Sequence, residues 1–283
     1  MSVLYLLYAF VVGAFLVGFG MKISARVKRK YGPPVYQPLM DVIKLLSKRS
    51  ISHGLVQDLG VWMALAGSAL LVLAIPVSPF PFINLDLIAF VYVSAIASLG
   101  VALGTAQVAN PYASIGMARA LMLMLGYEVP VLLTVVFFYF SLGTATLADL
   151  ATLQKEGWFL FKYPLLSAGY YLALLAEMGK PPFDVVTAPS EIASGPMVEY
   201  GGKYLGFLVI YAFFHTFVST ALFAVLFLGG GTWWEVLLKQ LVLYFSVVVV
   251  ASSFPRFVSE KAVVYQWIVP SLFVILNFVV VAS

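Results

Sequence analysis

Twelve carboxylates are spread over 283 residues, and five of them stand where proton or ion chemistry is the natural reading. Glu128 lies in Gly126-Tyr127-Glu128-Val129-Pro130, inside an apolar run over 117–142. A carboxylate at the centre of a membrane helix is disfavoured by roughly 2.5–3.5 kcal/mol on insertion scales and marks a pathway or a buried pair. Pro130 removes the amide that would bond the Gly126 carbonyl, so a polar defect sits beside the acid. Two readings follow: a proton relay, or a structural ion pair with Arg119. The other four, Glu177, Asp184, Glu191 and Glu199, fall within 23 residues, interleaved with Lys180, Lys203, Pro181, Pro182, Pro189 and Pro196. Prolines fix the backbone, which suits a segment held against a surface better than a flexible tether. Carboxylates near apolar surface can exchange protons near neutral pH, so this loop is a candidate relay; the alternative is an ordinary solvated loop. His215, in Tyr211-Ala212-Phe213-Phe214-His215-Thr216, either relays protons or is a neutral imidazole bonded to a backbone carbonyl. His53 belongs to a polar connection and reads as solvated.

Several chemistries are excluded. Without cysteine the chain forms no disulfide, ligates no iron–sulfur cluster through thiolates and offers no cysteine nucleophile. Its two histidines are too far apart for a HExxH-type metal site, and neither a P-loop nor a GxGxxG fingerprint occurs. The chain therefore carries no metal or cofactor of its own on this reading. By itself it should be catalytically inert.

The elements that position these residues are membrane helices. Hydrophobic residues make up 63% of the chain and charged residues 10%, far from a soluble domain. Apolar runs at 3–21, 61–77, 87–109, 117–142, 164–178, 204–228, 236–253 and 263–282 give eight spans of about the length a bilayer requires. The predicted fold is an all-α polytopic membrane protein, one transmembrane domain over 1–283. The first run has no preceding basic region and no small-residue cleavage site, so it reads as a retained helix and not a signal peptide. Lys and Arg stay on the cytoplasmic side; alternate connections place thirteen of the 16 basic residues on one side and three, Lys155, Lys162 and Lys239, on the other. Both termini should face outward in the cell membrane, with connections 22–60 and 179–203 in the cytoplasm. The net charge of +4 is explained by this asymmetry, and no nucleic-acid partner is implied. Within 22–60, Leu39, Val42, Ile43 and Leu46 recur at helical spacing with Asp41, Lys44 and Lys48 on the other side, an interfacial amphipathic helix against the lipid bilayer. Gly100 and Gly104 form a GxxxG pair that reads as helix packing. No internal repeat is visible.

Three motifs together resemble the subunit 1 family of respiratory complex I. They are Ala25-Arg26-Val27-Lys28-Arg29-Lys30-Tyr31-Gly32-Pro33 followed by Gln37-Pro38-Leu39, Asp41 and Lys44; the triplet Gly126-Tyr127-Glu128; and Ala176-Glu177 through Pro182-Phe183-Asp184, then Glu191, Gly195 and Glu199-Tyr200. Order and spacing agree over essentially the whole chain. That family includes membrane anchors of energy-converting nickel–iron hydrogenases, and the Glu191-Ile192…Gly195-Pro196…Glu199-Tyr200 pattern is similar to the hydrogenase branch. The loop has fewer acids than quinone-using members and no arginine after Ala176-Glu177. The resemblance implies a subunit of a ferredoxin-linked membrane-bound hydrogenase, with iron–sulfur clusters and a nickel–iron centre in partner subunits. Expected partners are hydrogenase-like large and small subunits in the cytoplasm and antiporter-like and small subunits in the membrane. It also implies proton-relay or coupling roles for Glu128, Glu177, Asp184, Glu191, Glu199 and His215, and docking or structural roles for Arg26, Asp41, Lys44 and Lys180. A quinone-reducing or a sulfur-reducing relative, and from another class a stand-alone ion-coupled transporter, are the alternatives.

Overall fold

The computed structural model describes residues 1–283 apart from 51, 53, 81, 107–109, 145, 156 and 283, and apart from the side chains of 189, 190 and 282. The reading of His53 lies outside the described residues. The chain forms α1 (Ser2–Val27), α2 (Gln37–Leu46), α3 (Leu55–Ala74), α4 (Leu87–Ala106), α5 (Pro111–Leu142), α6 (Leu147–Leu153), α7 (Phe159–Lys162), α8 (Pro164–Glu177), α9 (Pro189–Ile192), α10 (Gly202–Leu228), α11 (Trp233–Ser253) and α12 (Ser259–Ala282), with a 3-10 turn at Gly195–Glu199. The strands are two residues each, β1 (Val77–Ser78) and β2 (Gly231–Thr232), paired in parallel.

Seven of these helices, α1, α3, α4, α5, α10, α11 and α12, are long and apolar enough to cross a membrane. The eighth predicted run, 164–178, differs in form. It is the 14-residue α8, about 21 Å long, broken from α7 at Tyr163 where Pro164 starts a new helix. Together with the loop that follows, it links the two ends of the bundle. Ahead of its start, Gln154 in the α6–α7 connection donates to the Val225 carbonyl (2.8 Å) near the C-terminus of α10. Lys239 caps that same helix end, donating to the Leu228 and Gly230 carbonyls at 2.7 and 2.6 Å. Past its end, the 178–203 segment meets the opposite ends of the other helices: Gly202 sits against the Arg49 carbonyl, and Arg119, near the start of α5, reaches Glu191.

α10 is the hub, 72% of its most apolar window being buried. It packs against α1, α3 and α2, and Gly13 of α1 lies so close to the Phe213 backbone that a side chain would not fit. The predicted GxxxG of α4 works with a third glycine: a Cβ on Gly60 of α3 would fall 2.5 Å from the Gly100 carbonyl and 2.6 Å from the Gly104 nitrogen. Backbone contact of this kind is what small residues allow. α2 buries Val42 as its spacing predicts, packing it with Ala14 and Phe213, and also buries Pro38, which that spacing did not include. Ile43, assigned to the apolar face, is instead 62% exposed, because α2 leans its Leu39–Val42–Leu46 edge on α1 and α10 and leaves the Met40–Ile43 flank open.

Candidate functional site

α8 is short, so its last residue, Glu177, ends inside the bundle instead of at its surface. The loop that follows re-enters the protein, with Phe183, Val185 and Ala188 buried. Irregular backbone at membrane depth is tolerated where protein covers it or where it lines a cavity, and here both hold. Beneath the loop lies a cavity of about 1220 Å³ that brings together Glu177, Lys180, Asp184 and His215, with Asp41 and Lys44 of α2 toward its mouth.

Glu177 is the centre of its polar wall. The Ser219 hydroxyl donates to Glu177 Oε1 at 2.8 Å, and His215 Nε2 lies 3.8 Å from the same oxygen. His215 and Ser219 are one helical turn apart on α10 and so share a face. The Glu177 side chain is 14% exposed and that of His215 20%, an opening that faces the cavity both residues line. Tyr127 and Tyr211 also line it, both hydroxyls meeting that of Ser98. A carboxylate, an imidazole, phenol and alcohol groups within one pocket, and room for water, make a set that can take up and pass on a proton.

Asp184 and Glu191 are held differently. Arg119 donates to Glu191 at 2.8 Å, and Arg256, from the α11–α12 connection, reaches both Asp184 (3.0 Å) and Glu191 (3.4 Å). Thr187 also hydrogen-bonds Asp184, and the Phe257 amide donates to the Pro182 carbonyl at 2.8 Å. The two acids are thus clamps that fasten the loop to α5 and to the α11–α12 connection. The Arg119 hydrogen bond holds the Glu191 carboxyl below the usual carboxylate range, with Arg256 adding to the effect. Glu199 receives a hydrogen bond from Asn110, which caps α5 through Tyr112 N. Tyr200 is buried against Gly104, and burial pushes its phenol up to about 12.

Glu128 is not brought to the cavity. It is half-buried on α5, flanked by the exposed Leu125 and Val129. Arg119 is nine residues away on the same helix, about 13.5 Å along the axis, and pairs with Glu191 instead, so the alternative of a Glu128–Arg119 pair does not form. Arg26 stacks its guanidinium over the Tyr31 ring at 5.0 Å. Sequence reasoning missed Ser219 and the clamping role of Arg256. The first had a signal, the i, i+4 spacing from His215; the second depends on a contact across 72 residues and had none.

Comparison with known proteins agrees with this layout. The family model described as NADH dehydrogenase matches residues 1–282. The H subunit of the NADH-quinone oxidoreductase of Geobacillus thermodenitrificans is 30% identical over 264 residues, covering 87% of this chain and 79% of that protein. Its counterpart in Thermomicrobium roseum is 29% identical over 293 residues, covering 90% and 86%. A solved chain from the membrane-bound sulfane sulfur reductase, described as an archaeal respiratory membrane complex, superposes with a TM-score of 0.92 at 34% identity, covering 100% of this chain and 98% of its own. The chain belongs to the NADH dehydrogenase subunit 1 family, the membrane subunit of complex-I-like respiratory assemblies.

Proposed function

We propose that this chain couples electron transfer in a cytoplasmic redox arm to proton or sodium movement through neighbouring membrane subunits of a complex-I-like respiratory complex. The observation that carries the reading is the Glu177–Ser219–His215 group on the wall of an internal cavity, under a loop clamped by Arg119 and Arg256. Redox events at the loop surface then have a short mechanical route to a protonatable group in the membrane interior. The arm is of the ferredoxin-linked nickel–iron hydrogenase type, in keeping with the Glu191-Ile192…Gly195-Pro196…Glu199-Tyr200 pattern. Iron–sulfur clusters and the nickel–iron centre reside in its large and small subunits, and antiporter-like subunits complete the membrane part. The complex sits in the cell membrane. A second reading, an arm that reduces sulfane sulfur, is favoured by the 34% identical solved chain.

The test is to tag the chain, extract its complex in mild detergent, and measure native mass, nickel and iron on one sample. A large particle with both metals supports the hydrogenase arm. Iron without nickel moves the assignment to the sulfur-reducing arm, and a small, metal-free, functional particle overturns the proposal.

A further inference from the structure

The cavity has a second chemistry at its mouth. Lys28 and Lys30, beyond the end of α1, Lys44 on α2 and Lys48 just past the end of α2 line it, with Asp41 as the one acid among them. The salt bridges of the described residues involve none of these four lysines. On α2 the residues lining the cavity, Asp41, Lys44 and Leu45, occupy one flank, continued by Lys48 just past its end, and the exposed Met40 and Ile43 occupy the other. An amphipathic helix with bare apolar residues and lysines side by side lies at the level of lipid headgroups. Inward of the lysines the walls turn apolar, with Val17 and Met21 of α1 and Val248 and Ala251 of α11. Within the cavity of about 1220 Å³ these apolar walls offer dispersion contacts to a matching apolar group, and the group a bilayer supplies is an alkyl chain.

We infer that the mouth and the apolar part of this cavity bind one anionic membrane lipid, its phosphate among Lys28, Lys30, Lys44 and Lys48 and an alkyl chain between α1 and α11. Charge selects this occupant: an unpaired cluster of four cations favours a phosphate over a neutral headgroup or a neutral quinone ring. The inference concerns lipid binding alone and stands apart from the identity of the redox arm.

The experiment places the intact complex in nanodiscs made of equal parts phosphatidylglycerol and phosphatidylcholine, then identifies retained lipids by native mass spectrometry. Phosphatidylglycerol should be retained in preference. At about fivefold per lysine near a charged surface, the Lys44→Gln/Lys48→Gln pair should reduce that preference on the order of tenfold or more, and Lys44→Arg/Lys48→Arg should keep it. Ala251→Phe, which fills the alkyl compartment and leaves the lysines alone, should lose the bound lipid as well, and decides the matter if the glutamine pair fails to assemble. Equal retention of both lipids, a preference unchanged by the glutamine pair and by Ala251→Phe, or a neutral quinone as the bound molecule overturns the inference.

Discussion

The Glu177 carboxylate has one strong partner, the Ser219 hydroxyl, and one that is slightly too distant, the His215 imidazole. A 3.8 Å gap closes with a side-chain rotation or a bridging water, which is the geometry of a transfer step and not of a fixed pair. Replacing Glu177 by Gln keeps shape and hydrogen bonding but removes the exchangeable charge. Ion-coupled turnover should fall on the order of 10²-fold with assembly intact, and vesicle ion uptake normalised to complex content measures it. Normal pumping in Glu177→Gln would sink the relay role. Ser219→Ala should give a smaller loss in the same direction. Glu191 behaves oppositely: its carboxyl is held below its unfolded value by Arg119, so its hold on the loop is fully present above about pH 4.3 and is lost as pH falls through the lower folded value. A nitroxide at Val198, an exposed position in the loop, should gain mobility in that acid window. Arg119→Ala should give the same gain at neutral pH. The acids themselves were legible in sequence because carboxylates are rare in an apolar chain. Which of them the fold clamps was not, since the arginines that hold Asp184 and Glu191 are delivered by distant elements, whereas Glu177 is buried at the end of a helix with Ser219 as its partner.

Helices were legible wherever an apolar run approached the length a bilayer requires, and their contacts were legible only where glycine announced them. Gly100 and Gly104 pointed to a close neighbour; that the neighbour is Gly60 on α3 follows from the fold. A Cβ at Gly100 would lie 2.7 Å from both the Ala64 nitrogen and the Gly60 carbonyl, backbone atoms that cannot swing aside. Gly100→Val should therefore destabilise the α3–α4 pair by about 1–3 kcal/mol, read as a lower melting temperature in detergent. Gly157→Ala, in open space at ordinary backbone angles, should leave it unchanged. α8 is the element that sequence described least well. Its run reads as an ordinary span, but the break at Tyr163-Pro164 and the end at Glu177 make it a short strut, and that shortness is what carries a carboxylate inside the bundle. Hydropathy averages apolar residues and is blind to where the helix stops.

At the scale of the whole molecule the question is which end faces which side. Every connection that touches the 178–203 segment belongs to one end of the bundle: the end of α2 through Arg49, the start of α5 through Asn110 and Arg119, and the α11–α12 connection through Arg256. The opposite end holds the β1–β2 pair, Gln154 and the Lys239 cap. α8 and the loop that follows it together join one end to the other, so with the seven long helices they would make eight crossings, with the two termini at one end and the basic residues divided thirteen to three between the two ends. The positive-inside rule then predicts the clamped loop in the cytoplasm and both termini outside. The absence of native cysteine makes this directly measurable, because one introduced thiol is the sole target for a membrane-impermeant maleimide. Ser2→Cys and Thr232→Cys should be labelled on intact cells, while Ser47→Cys and Val198→Cys should be labelled only after permeabilisation. Labels on opposite sides for Ser2 and Thr232 would mean that α8 does not cross, and Glu177 would then lose its place between the arm and the membrane interior.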